Sequence, residues 1–495
     1  MSIESVHPLY SRFQPDWVLL RDAYEGERVV KAKGTTYLPA TAGQIIDGMG
    51  TRSDSAGQSS YNSYLQRAVF PDIVPVATEA MLGIMHNKPP KIELPAAMEP
   101  MREKATVKGE SLNILLRRIN LEQIVVGRMG LLLDVPNNAP IGKAMPYIAP
   151  YRAEAILNWD DGRREELVNQ VCNLVVLDES EYERKMGDFE WDFVNKYRVL
   201  VLGEVLANEP SGSYRTGVFR DKGESFSEAA LIEPSLGGRT LLEIPFVFIN
   251  SKDLVPEPDT SPMIGLARQA LTVYRGEADY RQGLFMQAQD TLVIKGEIDP
   301  EKAIRAGAGA AIRLPAEGDA KFIGTNSSGL PEMRMALEND RKTAADTGGR
   351  LLDTVGREAE AAEALRIRVT ARTATLNSIA MAGALGLQQI LRMAAVWMGL
   401  NPEEVIVEPN LDFADNTLDG QSMVDTMTAK AMGYPLSLRS IHRAARERNM
   451  TEYTFEEEMS EIETEAPLPT GEGDDDLSED DNLSEDDDLS EDDNA

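Results

Sequence analysis

The strongest constraint on this chain is one long helical pattern. Pro256 and Pro258 interrupt the sequence, Ser261 is a good N-cap, and Pro262 follows at a first helical position, where its missing N–H costs nothing. Apolar residues then recur at Ile264, Ala267, Leu271, Tyr274, Ala278 and Phe285. That spacing predicts a helix to about Gln289, roughly 40 Å long at 1.5 Å per residue. Few ordinary globular domains need a helix of that length. Pro331 opens a second, more polar helix that Gly348-Gly349 should end or kink. A third runs from Leu365 to Met398, with Leu376, Ile379, Gly383, Leu387, Ile390 and Trp397 at helical spacing and Gly399 and Pro402 as stop signals.

Between the first two helices lies Leu292 to Gly329, rich in glycine and alanine, with strand patterns at Leu292–Ile294, Ala311–Leu314 and Lys321–Ile323. A charged, alanine-rich stretch, Asp353 to Ala364, leads into the third helix, and Val405 to Val407 reads as a strand after it. Upstream, the chain reads as mixed helix and strand. Tyr61 to His86 has helical spacing broken by Pro71 and Pro75, and Leu112 to Val126 is an amphipathic helix. Met129–Val135, Cys172–Leu177, Tyr197–Leu202, Gly217–Arg220 and Ile244–Ile249 carry strand patterns. Leu418 to Glu465 predicts two or three short helices turning at Gly433 and Pro435. The fold class is therefore α+β, predominantly helical.

A chain of 495 residues, 42% hydrophobic, can bury a large core. Its net charge of −32 is unevenly placed: residues 472–495 hold fourteen Asp or Glu and no Lys or Arg, which leaves −18 for the rest. Three copies of Leu-Ser-Glu-Asp-Asp followed by Asn or Asp fill 477–494, and mutual repulsion should keep this acidic tail, 466–495, extended and disordered. Met1 to Leu20 lacks a secretory pattern, so the expected compartment is the cytoplasm. A single cysteine, Cys172, excludes an intrachain disulfide and reads as a buried strand residue. Thr373 to Leu391 is uncharged for nineteen residues, but Asn377, Ser378, Gln388 and Gln389 mark it as a helix buried against protein, not lipid.

No enzymatic constellation emerges. There is no Gly-x-x-x-x-Gly-Lys-Ser/Thr loop, and Gly307-Ala-Gly309 is a turn without the rest of a phosphate cradle. His7, His86 and His442 are scattered, and Asp412, Asp415 and Asp419 fail the calcium-loop spacing. The expectation is a protein with no catalytic residue, no cofactor and no metal.

Five stretches carry a resemblance. They are Tyr24-Glu-Gly-Glu with Thr36-Tyr-Leu-Pro39; Leu82-Gly-Ile-Met-His-Asn-Lys-Pro89; Gly127-Arg-Met-Gly-Leu-Leu-Leu-Asp-Val-Pro136; Pro146-Tyr-Ile-Ala-Pro-Tyr-Arg152 running on to Trp159; and Ile244-Pro-Phe-Val-Phe248. In order and spacing the chain resembles the portal proteins, or head-to-tail connectors, of tailed bacteriophages, in a family often catalogued as an uncharacterised phage domain. The resemblance implies a ring of about twelve copies with wing, stem, clip and crown. Laid on this sequence it implies a wing at 1–258, a first stem helix at 259–290, a clip at 291–329 and a second stem helix at 330–352. A tunnel loop follows at 353–364, then a long wing helix and strand at 365–417 and a crown at 418–465. Gly356, Arg357, Glu358, Glu360 and Glu363 would face DNA in the tunnel loop, and Lys295, Arg305 and Arg313 would face the terminase on the clip. Such a protein would sit at the capsid vertex of the virion after assembly in the host cytoplasm. Its implied partners are the large terminase, head-tail adaptors, the major capsid and scaffolding proteins, and double-stranded DNA passing without sequence-specific binding, with no membrane. Other readings are a different head-assembly or adaptor protein, or a hydrolase with an unrecognised acidic site. The acidic repeat tail departs from the family pattern.

Overall fold

His7 opens the first helix. In this computed structural model its Nδ1 accepts the Leu9 N–H at 3.1 Å and Pro8 occupies the first position of α1 (Pro8–Glu25). The described residues are 3–136, 145–160, 172–203, 212–220, 227–287, 291–295, 317–323, 329–352, 362–411, 413, 427–447, 451 and 453–464. Gly26, at φ +86°, turns the chain from α1 into α2 (Glu27–Ala32). A capping box between Thr41 and Gln44 starts α3 (Ala42–Ile46), and Ser55 caps α4 (Ala56–Arg67). The break expected within Tyr61 to His86 falls between α4 and α5 (Ile73–Met85). Pro75 lies inside the first turn of α5, where the N–H has no helical partner anyway.

After β1 (Lys91–Glu93), α6 (Pro100–Glu103) and the Ser111-capped α7 (Leu112–Val125) comes the β-rich part. Its strands are β2 (Arg128–Asp134), β3 (Tyr147–Arg152), β4 (Ile156–Asp160), β5 (Leu174–Asp178), β6 (Glu181–Arg184), β7 (Trp191–Val194), β8 (Lys196–Leu202), β9 (Tyr214–Arg220) and β10 (Phe246–Asn250). All pairings are antiparallel. One sheet has the order β10-β2-β3 and another β4-β5-β8-β9, while β6 and β7 prolong β5 and β8 as a two-stranded ribbon. β2 is buried along its whole length. Gly130 is obligatory there, since a Cβ would stand 2.2 Å from the Phe246 ring.

The remaining elements are α8 (Ile264–Gln287), β11 (Thr291–Lys295), β12 (Asp319–Ile323), α9 (Leu330–Leu352), α10 (Ala362–Met398) and β13 (Ile406–Glu408), the last paired with β1. Two cores result. In one, Leu20, Met81 and Leu266 pack among helices; in the other, Leu131, Phe248 and Leu200 join sheet to helix. α10 serves both, giving Leu376 and Ile379 to the first and Leu387, Ile390 and Trp397 to the second. It is apolar enough over Ala374–Met398 to cross a bilayer, yet most of that stretch is buried in protein. These elements belong to a unit spanning Met1–Phe413. A second unit, Ala414–Ala495, holds α11 (Leu438–Glu447) and α12 (Phe455–Thr464), with Arg439 paired to Glu456 and the expected turn at Gly433, φ +93°.

Ser261 caps α8 as expected, its hydroxyl accepting the Met263 N–H at 3.0 Å and donating to the Val125 carbonyl at 2.8 Å, and regular helix begins at Ile264. Two local expectations change. α9 runs through Gly348-Gly349 to Leu352. Gly348 is buried beside Leu266 and Ile73, and that packing offsets the ~1 kcal/mol a helical glycine costs. Cys172 precedes β5 and is half-buried, its thiol donating to the Leu174 carbonyl at 3.4 Å. The strand expected at Ala311–Leu314, the aspartates 412, 415 and 419, and the tail 466–495 lie outside the described residues.

Candidate functional site

α8 and α9 pair antiparallel along a seam with a seven-residue rhythm. Gly276 and Gly283 of α8 face Leu337 and Leu330 of α9, and a Cβ at Gly283 would come within 2.8 Å of the Leu330 side chain. Leu330, Leu337 and Ala344 recur every seventh residue, the interval that keeps one helical stripe turned toward a partner. Gln269 donates to the Asp340 carbonyl at 3.2 Å near the other end of the seam.

The seam also holds a buried charge. Glu277 of α8, almost wholly enclosed, accepts from Arg281 on its own helix and from Arg341 on α9, each at 2.6 Å. Both arginines stay about half exposed, so the carboxylate is neutralised from the solvent side. α4 clamps the C-terminal half of α8: Tyr64 donates to Asp279 at 2.5 Å, Arg67 donates to Gln282 at 2.5 Å, and its guanidinium lies 4.0 Å from the Phe285 ring centre. Burial first, then the Asp279 carboxylate, pushes the Tyr64 phenol well above its ordinary range. Tyr64 is therefore a fixed donor.

At the same level of the hairpin Leu284 and Met286 of α8 and Met333 and Met335 of α9 are exposed, as is Val293 of β11. The β11–β12 ribbon joins the two helices, with Lys295 opposite Asp319 in register. Lys295 is exposed at the end of β11. Arg305, Arg313, Gly356, Arg357, Glu358 and Glu360 lie outside the described residues, and Glu363 is described only as backbone in the first turn of α10. Sequence reasoning missed Glu277 with Arg341, and the glycine seam; the seven-residue spacing of Leu330, Leu337 and Ala344 was the available signal.

A second buried charge lies in the sheet core. Arg128 of β2 is fully enclosed, with its guanidinium 4.6 Å from the Trp159 ring centre and 4.8 Å from that of Phe248, in the corner the two rings make. It donates to the Pro256 carbonyl at 2.5 Å, while Nε and Nη2 find no partner among the described residues. Desolvation pushes it down to about 9, against smaller opposing effects of Cys172, Asp253 and Asp259. His86 is held below the usual imidazole range by burial, although its Nε2 lies 2.9 Å from Asn120 Oδ1. Among the described residues no group of three or more His, Cys, Asp or Glu is placed to hold a metal ion.

Residues 262–398, which contain α8, α9 and α10, match a family model described as a domain of unknown function, DUF4055. No curated protein matches the chain. Among solved structures, the chain is similar to one from the neck of a native GTA particle computed with C12 symmetry, at 14% identity and a TM-score of 0.36, covering 74% of this chain and 87% of that one. It is also similar to a chain from the neck of an empty GTA particle computed with C6 symmetry, at 14% identity and a TM-score of 0.35, covering 77% and 92%.

Proposed function

We propose that this chain is the portal subunit of a tailed-phage particle, a non-enzymatic protein that assembles into a ring of about twelve copies around a DNA channel. The observation that carries the reading is the α8–α9 hairpin. α4 holds it at Asp279, Gln282 and Phe285, and at that level Leu284, Met286, Met333 and Met335 face water in the isolated chain. Neighbouring copies arranged around an axis would cover that surface and turn the two helices into a stem. The β11–β12 segment, 291–329, is then the clip, offering Lys295, Arg305 and Arg313 to the terminase. The stretch 353–364 is the tunnel loop, with Gly356, Arg357, Glu358, Glu360 and Glu363 toward DNA. Residues 1–258 and 365–417 form the wing, and 418–465 the crown that meets the capsid interior.

The charge fits a conduit. Each phosphate that Lys or Arg neutralises adds affinity through counterion release, so a channel that lets DNA slide gains from lacking basic stripes. A chain of net charge −32 can surround DNA without gripping it. In this reading head-tail adaptors and the capsid and scaffolding proteins dock on the outside of the ring at the capsid vertex. The test is native mass and negative-stain imaging of the purified chain at moderate salt. Rings of about a dozen subunits with an axial hole are expected; a monodisperse monomer or dimer at high concentration would refute the proposal.

A further inference from the structure

The β6–β7 ribbon presents two unlike faces. Its register sets Tyr182 against Phe193 and Arg184 against Trp191, which places all four side chains on one side. Tyr182 and Phe193 meet edge to face at 5.1 Å between centroids. On the other side, Glu181 and Glu183 both engage Lys196, and Lys185 at the turn binds Glu190 and Asp192. The acidic face is therefore compensated within the ribbon and its base. The aromatic face is not: Arg184 has no carboxylate partner among the described residues, and at the tip Met186 and Phe189 are 104% and 90% exposed. Five large apolar side chains within twelve residues stand in water.

A receptor of matching character lies elsewhere on the same unit. A partly open cavity of about 280 Å³ is lined by Cys172, Phe246, Phe248, Leu254 and Met393, with Glu243 at its rim. Its size falls below the roughly 300–1,000 Å³ of small-molecule sites, and its walls suit one apolar side chain. Glu243 is exposed and has no cationic partner among the described residues, so its carboxylate is open to an incoming arginine.

The ribbon cannot fill its own cavity. Cys172 stands at the cavity just before β5, and Met186 at the tip lies fourteen residues further along one extended ribbon. At 3.3 Å per residue that is a separation of roughly 45 Å. Within one chain the two complementary surfaces cannot meet.

We infer that the tip of the β6–β7 ribbon docks into the Cys172–Phe246–Phe248 cavity of the neighbouring copy, with Phe189 or Trp191 filling the cavity and Arg184 pairing with the neighbour's Glu243. A knob and a hole at different places on one chain make a heterologous contact, which repeated around an axis forms a ring when the rotation closes. The inference rests on the ring reading above and adds a second interface, distant from the stem.

The experiment compares dissociation of assembled rings on dilution, read by mass photometry, for the wild type and four variants: Phe189→Ser with Trp191→Ala, Arg184→Glu, Glu243→Lys, and Arg184→Glu combined with Glu243→Lys. Removing the aromatic anchors should raise the subunit concentration at which half the rings dissociate by about tenfold or more, the effect of losing an interface hot spot. Each single charge reversal should raise it several-fold, and the combined reversal should recover most of the loss. Circular dichroism melts of the aromatic variant should match the wild type, because these side chains are exposed in the single chain. Wild-type dissociation for the aromatic variant would overturn the inference, including the case in which the ribbon serves another protein. A combined reversal no better than its parents would overturn the Arg184–Glu243 contact. A wild-type chain that forms no ring would fail the portal reading itself, before any variant is compared.

Discussion

Replacing Gly383 by alanine should destabilise the protein, although the change improves helix propensity. Gly383 lies in α10 where that helix crosses α7, and a Cβ there would stand 2.5 Å from Asn120 Nδ2 and 2.7 Å from Gln123 Oε1. Both amides are buried and committed. Asn120 donates to Gln123 at 2.9 Å and its Oδ1 lies 2.9 Å from His86 Nε2, while Gln123 donates to the Asn250 carbonyl at 2.7 Å. The methyl group therefore pushes a connected polar network that has no solvent to turn to. The propensity gain is about 1 kcal/mol. Against it stand about 1–3 kcal/mol for a buried amide that loses its partner and about 1–3 kcal/mol for overpacking. The net expectation is a loss of about 1–5 kcal/mol, taking these together. The assay is guanidinium unfolding followed by tryptophan fluorescence at one fixed protein concentration, since assembly would otherwise shift the midpoint. Gly83→Ala is the control. Gly83 lies in α5 with no atom within 4 Å of its added Cβ, so that variant should gain about 0.5–1 kcal/mol. A Gly383→Ala protein as stable as the wild type, or more so, would refute the steric reasoning.

Arg128→Met should be neutral or stabilising by up to about 2 kcal/mol in thermal melts at pH 7.5, because an enclosed cation with two unmatched nitrogens gives way to an apolar chain of similar length; a loss above ~2 kcal/mol would show that the contacts with the two aromatic rings outweigh desolvation. Glu277→Ala should cost about 1–3 kcal/mol in urea unfolding, less than the ~3–5 kcal/mol for breaking a fully buried pair, since Arg281 and Arg341 can rehydrate; no measurable loss would mean the seam alone holds α8 to α9. His86 is a base whose folded-state pKa lies below its unfolded value. As pH falls through 6.5 the unfolded chain takes up the proton first, and stability drops until the folded pKa is passed. His86→Gln should remove that component, so its melting temperature should fall less than the wild type's between pH 7.5 and 5.5, and equal slopes would contradict the assignment.

Element type followed from local chemistry and was legible. Apolar spacing together with Pro331, Gly399 and Pro402 marked α9 and α10 closely, and short β-branched runs marked β5, β8 and β10, because periodicity and caps act within a few residues. Trp397 read as core and is core, its indole donating to the Arg239 carbonyl at 3.0 Å. α1, β3 and β4 carried weaker patterns and were not delimited. The continuation of α9 through Gly348-Gly349 was set by Leu266 and Ile73, residues distant in sequence whose packing offset a local preference. The candidate site was legible only in part. A long helix, a small β insert and a returning helix could be read in order, as could the heptad of Leu330, Leu337 and Ala344. That Gly283 receives Leu330, that Arg341 reaches Glu277, and that Arg184 and Trp191 share an uncovered face depend on which residues pairing brings opposite one another. Spacing along one strand of sequence specifies which side of an element is apolar. It cannot specify what that side meets, because the partner is chosen by burial summed over the whole core, and only the folded chain carries out that sum.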